Sequence, residues 1–476
     1  MSPTGHAPAR KVIMTTHLRR AGFTSAALVA LAAAASAPAT AAPATGTDAA
    51  ASFLAGQFAA GGHQLSSTYA GQTYLDAGLS ADGILALTSA GVASNEAGAA
   101  TTAFAKGVGD YAMPGTDVYA GAVAKSLIVA KAQGQNPRAF GGVDLVSKLQ
   151  GLEKPSGRFS DVSAYGDYSN AVTQSLAVIA LQKAGAPADA KATNYLLSLR
   201  CNDGGFRLAD DGSACVSDPD ATSFAVQALA AAGGHGADVT KAVNFLATKQ
   251  NADGGVAGGT GTTTPNANST GLAAVAFTLG GQGARAVKAQ SFVASLQYGC
   301  SFPAAVRGAI AYDRAAFAAM KSAGASGKLA GNETRATSQG LYAFTRAPLV
   351  SLTKGGATAT PAISCSSEPT SSPNTSTSTR SAPKPTTTSS SNSTSTSATP
   401  APTSTASTDA TAAPTSTTSP SAPSTSTVPQ STSTTPVTGP IVNTDKVSDN
   451  TVPFGFAFGA VILVTAGGAV AYARRR

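Results

Sequence analysis

Two carboxylates, Asp218 and Asp220, open the stretch "SDPDATSFAVQALAAAG" at Ser217–Gly233. Two acids this close can act as a pair, one raised in proton affinity and so able to protonate a substrate. The same residues also have the form of a helix start, with Asp218 as N-cap and Pro219 at the first helical position. Asn170, Asn266 and Glu333 stand at equivalent places, with Asp76 and Asp117 nearby. Polar residues at successive helix starts favour capping over acid catalysis, which leaves Asp218 and Asp220 as weak catalytic candidates.

The elements that position them repeat. "SNAVTQSLAVIALQKAG", "SDPDATSFAVQALAAAG" and "PNANSTGLAAVAFTLGG" place Leu176, Phe224 and Leu272 at a constant spacing of 48 residues. A second helix follows each. In these, Ala192, Tyr195, Leu196 and Leu199 run i, i+3, i+4, i+7, as do Val239, Ala242, Val243 and Leu246. That period is an amphipathic helix. "DGG" at Asp203 and Asp253 supplies a left-handed stop. Weaker copies begin at Leu75, Asp117 and Asn332 for the first type of helix, and at Ala50 and Gly141 for the second. An insertion of about 20 residues precedes the last. The expected fold class is all-α, with about six helix pairs whose apolar faces are buried against their neighbours.

"ATSFAVQAL" and "NSTGLAAVAF", alternating with "FLATKQNADGG", resemble the prenyltransferase and squalene-cyclase repeat. Gln250 and Gly254 match the Gln and Gly of that family's glycine-rich loop, with Val256 in place of the usual aromatic. The resemblance spans about Ala50 to Pro348. It implies an α/α toroid, the first-type helices forming an inner ring and the second-type an outer one. The cyclases' Asp-x-Asp-Asp-Thr acid motif is matched by Asp218, Asp220 and Thr222, but Ala221 replaces the third Asp. Cyclases also line the cavity with aromatic rings that stabilise a carbocation, and this chain has no Trp.

A zinc site of the prenyltransferase kind needs Asp, Cys and His from inner helices. Beyond the leader the only histidines are His63 and His235, and no Cys lies in a first-type helix, so neither metal nor cofactor is expected. Toroid glycosidases and polysaccharide lyases want paired carboxylates and aromatic platforms; the core offers Glu96, Glu153 and Glu333 as its only glutamates. Of the three ways to pair four cysteines, Cys201–Cys215 with Cys300–Cys365 leaves short loops and suits an oxidising compartment.

The ends of the chain read as address and anchor. Arg19 and Arg20, an apolar run and "ATA" at Ala39–Ala41 make residues 1–41 a secretory signal peptide. The toroid is placed at 50–365, a Ser/Thr/Pro-rich disordered stalk at 366–450, a single transmembrane helix at 452–472 and a basic cytoplasmic tail at 473–476. Thr435, Pro436, Val437, Thr438 and Gly439 resemble the Leu-Pro-x-Thr-Gly signal that sortases cleave, with Thr435 where Leu is usual. Sortase-mediated wall attachment and simple membrane anchoring both stay open. Either places the core on the outer face of a Gram-positive-type cell. The formal charge of +8 lies mostly in the two ends: between Ala50 and Cys365 there are 22 Lys and Arg against 19 Asp and Glu. No nucleic-acid footprint results.

These observations point to a cell-surface-anchored toroid module that is non-catalytic and binds a small molecule or surface partner. Gln174, Thr222, Ser223, Thr270, Thr337 and Gln339 are the expected lining. The ligand is expected to be polar or anionic, since aligned helix N-termini favour anions. A corrinoid-like ligand follows only by analogy, because the same toroid forms the larger domain of vitamin B12 carriers. The alternatives are a degenerate terpene-cyclase or prenyltransferase-like enzyme and a structural wall protein or adhesin.

Overall fold

The computed structural model describes residues 43–365, apart from 70, 71 and 260. The signal peptide, stalk, sorting-like motif and C-terminal apolar run lie outside these residues. Among the described residues no helix is long and apolar enough to cross a membrane.

The helices are α1 (Thr47–Ala60), α2 (Ala77–Ala90), α3 (Ser94–Lys106), α4 (Val108–Ala112), α5 (Ala120–Ala132), α6 (Leu145–Gln150), α7 (Ala171–Ala184) and α8 (Ala190–Ser198). There follow α9 (Pro219–Ala232), α10 (Gly236–Lys249), α11 (Ala267–Leu279), α12 (Gly283–Ala294), α13 (Arg314–Ala323), α14 (Glu333–Gly340) and α15 (Tyr342–Thr345). Six first-type helices pack in chain order, α2 on α5, α5 on α7, and so on to α14, and α14 packs back on α2. The inner ring is therefore closed. Helices α1, α6, α8, α10 and α12 pack outside it, and α3 lies against α1 and α2. Inner helices α5, α7 and α11 are apolar nearly all round, as expected of elements covered on every side.

Three antiparallel pairs interrupt the helices: β1 (Ser66–Tyr69) with β2 (Gln72–Leu75), β3 (Phe206–Arg207) with β4 (Ser217–Asp218), and β5 (Val256–Ala257) with β6 (Pro265–Asn266). The last two bring the chain from an outer helix back to the start of the next inner one. The periodicity foresaw neither these nor α3. The last inner helix is also broken, at Leu341 between α14 and α15.

A repeated glycine couples neighbouring units. Gly157, Gly204, Gly254 and Gly308 have φ of 86°, 92°, 93° and 84°, a region that disfavours side chains. A Cβ at Gly157 would stand 2.2 Å from Lys191 O, at Gly204 2.8 Å from Lys241 O, and at Gly254 2.1 Å from Lys288 O. Each loop thus presses on the backbone of the next outer helix. At Gly308 the partner is Ala49 O, 2.1 Å away, so the last unit presses on α1 and the outer ring closes too. Gln250 Nε2 donates to Gly254 O and to Arg285 O, 3.1 and 2.9 Å away. Gln297 Nε2 repeats this with Gly308 O and Gly46 O. Disulfides join Cys201 to Cys215 and Cys300 to Cys365, the pairing expected from the sequence, and such bonds suit an oxidising environment.

Candidate functional site

Asp218 caps α9: its Oδ1 accepts the N–H groups of Asp220 and Ala221, at 2.9 and 2.8 Å. Asp76 likewise caps α2, Asn170 α7 and Asn266 α11. Two equivalents differ. Glu333 turns to the preceding loop and accepts from Ala330 and Gly331. Asp117 does not cap α5; Asp161 from another loop accepts the Ala120 N–H at 2.7 Å. Burial raises Asp161 to about 6, with the nearby Asp167 adding to it.

Asp220 is 1% exposed and its Oδ2 accepts from Ser269 on α11, 3.1 Å away. A glycine-rich loop presses on both carboxylates. A Cβ at Gly259 would stand 1.6 Å from Asp218 Oδ2, and one at Gly258 3.0 Å from Asp220 Oδ2. The pair is covered, one member holding a helix start and the other joining α9 to α11.

The expected lining residues occupy a shared structural position. Gln174, Thr222, Thr270 and Thr337 accept the backbone N–H of Phe159, Phe206, Val256 and Ile310 through their side-chain oxygens, at 2.8–2.9 Å. Ser80 on α2 does the same for Leu65. These donors lie in the loops that return from outer to inner helices, so the five side chains face outward. Ser223 donates to Pro219 O within its own helix. Gln339 belongs to the opposite face.

That face follows from helical geometry. Two residues before or after these outward positions lie 200° round the helix, nearly diametrically opposite. The inner face therefore carries Gly78 and Asp82 on α2 and Val172 and Leu176 on α7, and the same offset from the N-cap, Tyr119, places Gly121 and Lys125 there on α5. It continues with Asp220 and Phe224 on α9, Asn268 and Leu272 on α11, and Arg335 and Gln339 on α14. One layer, taken around the ring, reads Gln339, Asp82, Lys125, Leu176, Phe224, Leu272: half polar, half apolar.

The charges of the polar half are paired. Lys125 Nζ lies 2.6 Å from Asp82 Oδ1, and Arg335 Nη2 lies 2.7 Å from Asp76 Oδ2. Ser67 Oγ donates to the same oxygen of Asp76 at 2.6 Å. Burial pushes the Asp76 carboxyl up, but Arg335, Ser67, the Leu79 N–H and Lys125 together hold it below the usual carboxylate range. The buried hydroxyls of Tyr111 and Tyr342 are pushed well above the usual tyrosine range by desolvation and by the Asp82 charge. Two acceptors are left over: Asp82 Oδ2 and Gln339 Oε1 are buried without a hydrogen-bond partner. Arg335 Nη1 lies 3.9 Å from Asp82 Oδ2, beyond hydrogen-bond reach. The Asp82 and Arg335 side chains nevertheless keep 14% and 20% of their surface exposed.

The sequence reading missed Asp82, Lys125 and Arg335. The charge of Lys125 in the middle of the mostly apolar "AGAVAKSLIVAKA" was the available signal.

The chain itself covers the C-terminal ends of α5, α7 and α9. Gln227 Oε1 accepts the Leu349 N–H at 3.1 Å, and Lys183 Nζ donates to Val350 O and Leu352 O. Burial, with Lys131 nearby, lowers Lys183 to about 8.

No family model and no curated protein matches the chain. Solved structures similar to it include a protein from Actinoplanes, 15% identical, covering 63% of this chain and 99% of that one, with a TM-score of 0.45. Another is a variant of the type II terpene cyclase MstE from Scytonema in complex with geranylgeranyl dihydroxybenzoate. It is 12% identical over 64% of this chain and 97% of that one, with a TM-score of 0.45. A glycosidase variant in complex with glucose is 13% identical over 58% of this chain and 88% of that one, with a TM-score of 0.38.

Proposed function

We propose that this chain is an exported, surface-anchored toroid module that binds a small polar molecule inside its inner ring and performs no chemistry on it. The observation that carries the reading is the pair of buried, unpartnered acceptors, Asp82 Oδ2 and Gln339 Oε1, on the inner face of a closed ring. Buried polar atoms without partners are rare, and each needs an explanation, of which a bound water, ion or ligand is one. Against catalysis, Asp218 is engaged in capping and Asp220 lies under a glycine-rich loop. The inner face also carries few aromatic rings to protect a carbocation. Export is supported by the two disulfides and by the terminal segments of the sequence.

Native mass spectrometry of the secreted chain tests the proposal. A bound mass of small-molecule size, released on denaturation, is expected. A chain of bare mass from its native source contradicts it.

A further inference from the structure

After Arg346 the chain runs as a strap, residues 347–365, and its turn at Leu349–Ser351 packs on α5, α7 and α9. Leu349 and Leu352 are its buried anchors, 6% and 3% exposed. Beyond them residues 353–360 are exposed throughout. Four backbone hydrogen bonds hold that stretch to the turn between α2 and α3. Ala357 donates to Gly91 O at 2.9 Å; Ala93, Ser94 and Asn95 donate to Ala359 O, Ala357 O and Thr358 O at 3.1, 3.1 and 3.3 Å. Exposed hydrogen bonds compete with water and are individually weak. A segment held mainly by them opens at low cost. Pulled from its C-terminal end, the strap gives up these bonds one after another, Ala359 first.

The far foot of the strap is seated differently. Cys365 is bonded to Cys300, and Cys300 lies between Tyr298 and Phe302, both buried, with ring centroids 4.8 Å apart. The Tyr298 N–H donates to Ala309 O and its carbonyl accepts from Gly308, both at 2.8 Å. Gln297 Nε2 ties the same turn to Gly46 O and Gly308 O at 3.0 and 2.9 Å, and the Gly46 N–H donates to Gln297 Oε1 at 2.5 Å. Cys300 therefore sits where the last unit closes on the first. Moving it means breaking aromatic packing and several hydrogen bonds together.

From Cys365 the chain continues to Arg476, so a pull from that side reaches the fold at Cys365. We propose that the Cys300–Cys365 disulfide is a tension clamp. Tension entering at Cys365 passes across the bond into the ring closure at Cys300 and bypasses the strap. The ends of α5, α7 and α9 thus stay covered while the chain is pulled. The source of the tension rests on the surface-anchored reading above; the path it takes through the fold does not.

The test is single-molecule force spectroscopy of the full chain in detergent. One handle is at Arg476 and the other at an azide-bearing residue replacing Thr240, which is exposed on α10. Three proteins are compared: one with all four cysteines, one with Cys300→Ser and Cys365→Ser, and one with Cys201→Ser and Cys215→Ser, which keeps the clamp. The protein without the clamp is expected to lengthen early, at low force, before the ring unfolds. That step should be at most about 70 Å, the extended reach of the strap. The two proteins that keep the clamp should lack it.

An early step of that size with the clamp present, or none with it absent, overturns the proposal. Circular dichroism shows whether each variant is folded. Should Cys300→Ser with Cys365→Ser not fold, dithiothreitol is added to the folded variant that keeps only Cys300–Cys365, and the early step must then appear. Anchorage is tested apart, by whether cutting within residues 366–450 releases the core from intact cells. A core already free without cutting removes the source of tension and overturns the clamp's role, whatever the force curves show.

Discussion

Lys125 Nζ lies 2.6 Å from Asp82 Oδ1, joining adjacent inner helices at the same layer of the ring. Both side chains are largely buried, so each charge depends on the other for compensation. Lys125→Met alone leaves the Asp82 carboxylate with only the more distant Arg335, and should cost about 3 kcal/mol. Adding Asp82→Leu should recover most of that loss. Urea unfolding of the two single variants and the double variant checks the cycle; a double-variant loss equal to the sum of the two single losses would show that the pair is not coupled.

Asp218→Ala removes an N-cap that takes two backbone N–H groups. The expected loss is about 1 kcal/mol, with ligand binding unchanged. Asp220→Asn should cost less, because the amide oxygen still accepts from Ser269. Unfolding free energies and calorimetry on the two variants measure both points. A cyclase turnover abolished by Asp220→Asn in a folded protein would restore the acid-pair reading.

Thr222→Val and Thr270→Val each keep the shape of a buried side chain and remove the acceptor of one loop N–H, that of Phe206 or of Val256. Each should destabilise the fold by about 1–3 kcal/mol, the cost of an unsatisfied buried donor. The small-molecule mass retained in native mass spectrometry should be unchanged, since both residues face away from the ring centre. A large loss of affinity with full stability would place these threonines at the ligand instead.

Asp161 supplies a pH dependence with a definite sign. Its folded-state pKa of about 6 lies above the ordinary value of 3.8, so the folded state holds the proton more tightly. The associated stability is present below about pH 4 and is lost as pH rises through 6, an effect of at most about 2–3 kcal/mol. Urea unfolding between pH 4 and 7 should show this decline in wild type and a flatter profile in Asp161→Asn. Parallel profiles would assign the slope to other groups.

The disulfides close loops of different length, with sequence separations of 14 and 65 residues. On chain entropy, replacing Cys201 and Cys215 by Ser should cost about 3 kcal/mol, and replacing Cys300 and Cys365 about 4 kcal/mol. Thermal unfolding of the two double variants gives the order; the reverse order would mean that the longer loop stays compact when unfolded.

Helix type, the inner and outer alternation and the cysteine pairing were legible because each leaves a local mark: a 3.6-residue period, polar caps, an even cysteine count. Ring closure was expected only through the family resemblance, since it rests on α14 meeting α2 and Gly308 meeting Ala49, contacts between distant parts of the chain that leave no local mark. The lining was misassigned for a related reason. Thr222 and Thr270 are polar and recur in register, but only the loop N–H groups reveal which face they serve. Asp82 and Lys125 break the apolar pattern singly, and only their pairing across two helices makes them a site. Helix α3, with its many alanines and threonines, carried too little periodic contrast to stand out.

The most direct test of ring binding is a high-resolution crystal structure of the secreted protein from its native source. The account predicts electron density for a compound larger than water within hydrogen-bond distance of both Asp82 Oδ2 and Gln339 Oε1. A single water bridging the two, or side chains that close the space between them, would contradict it.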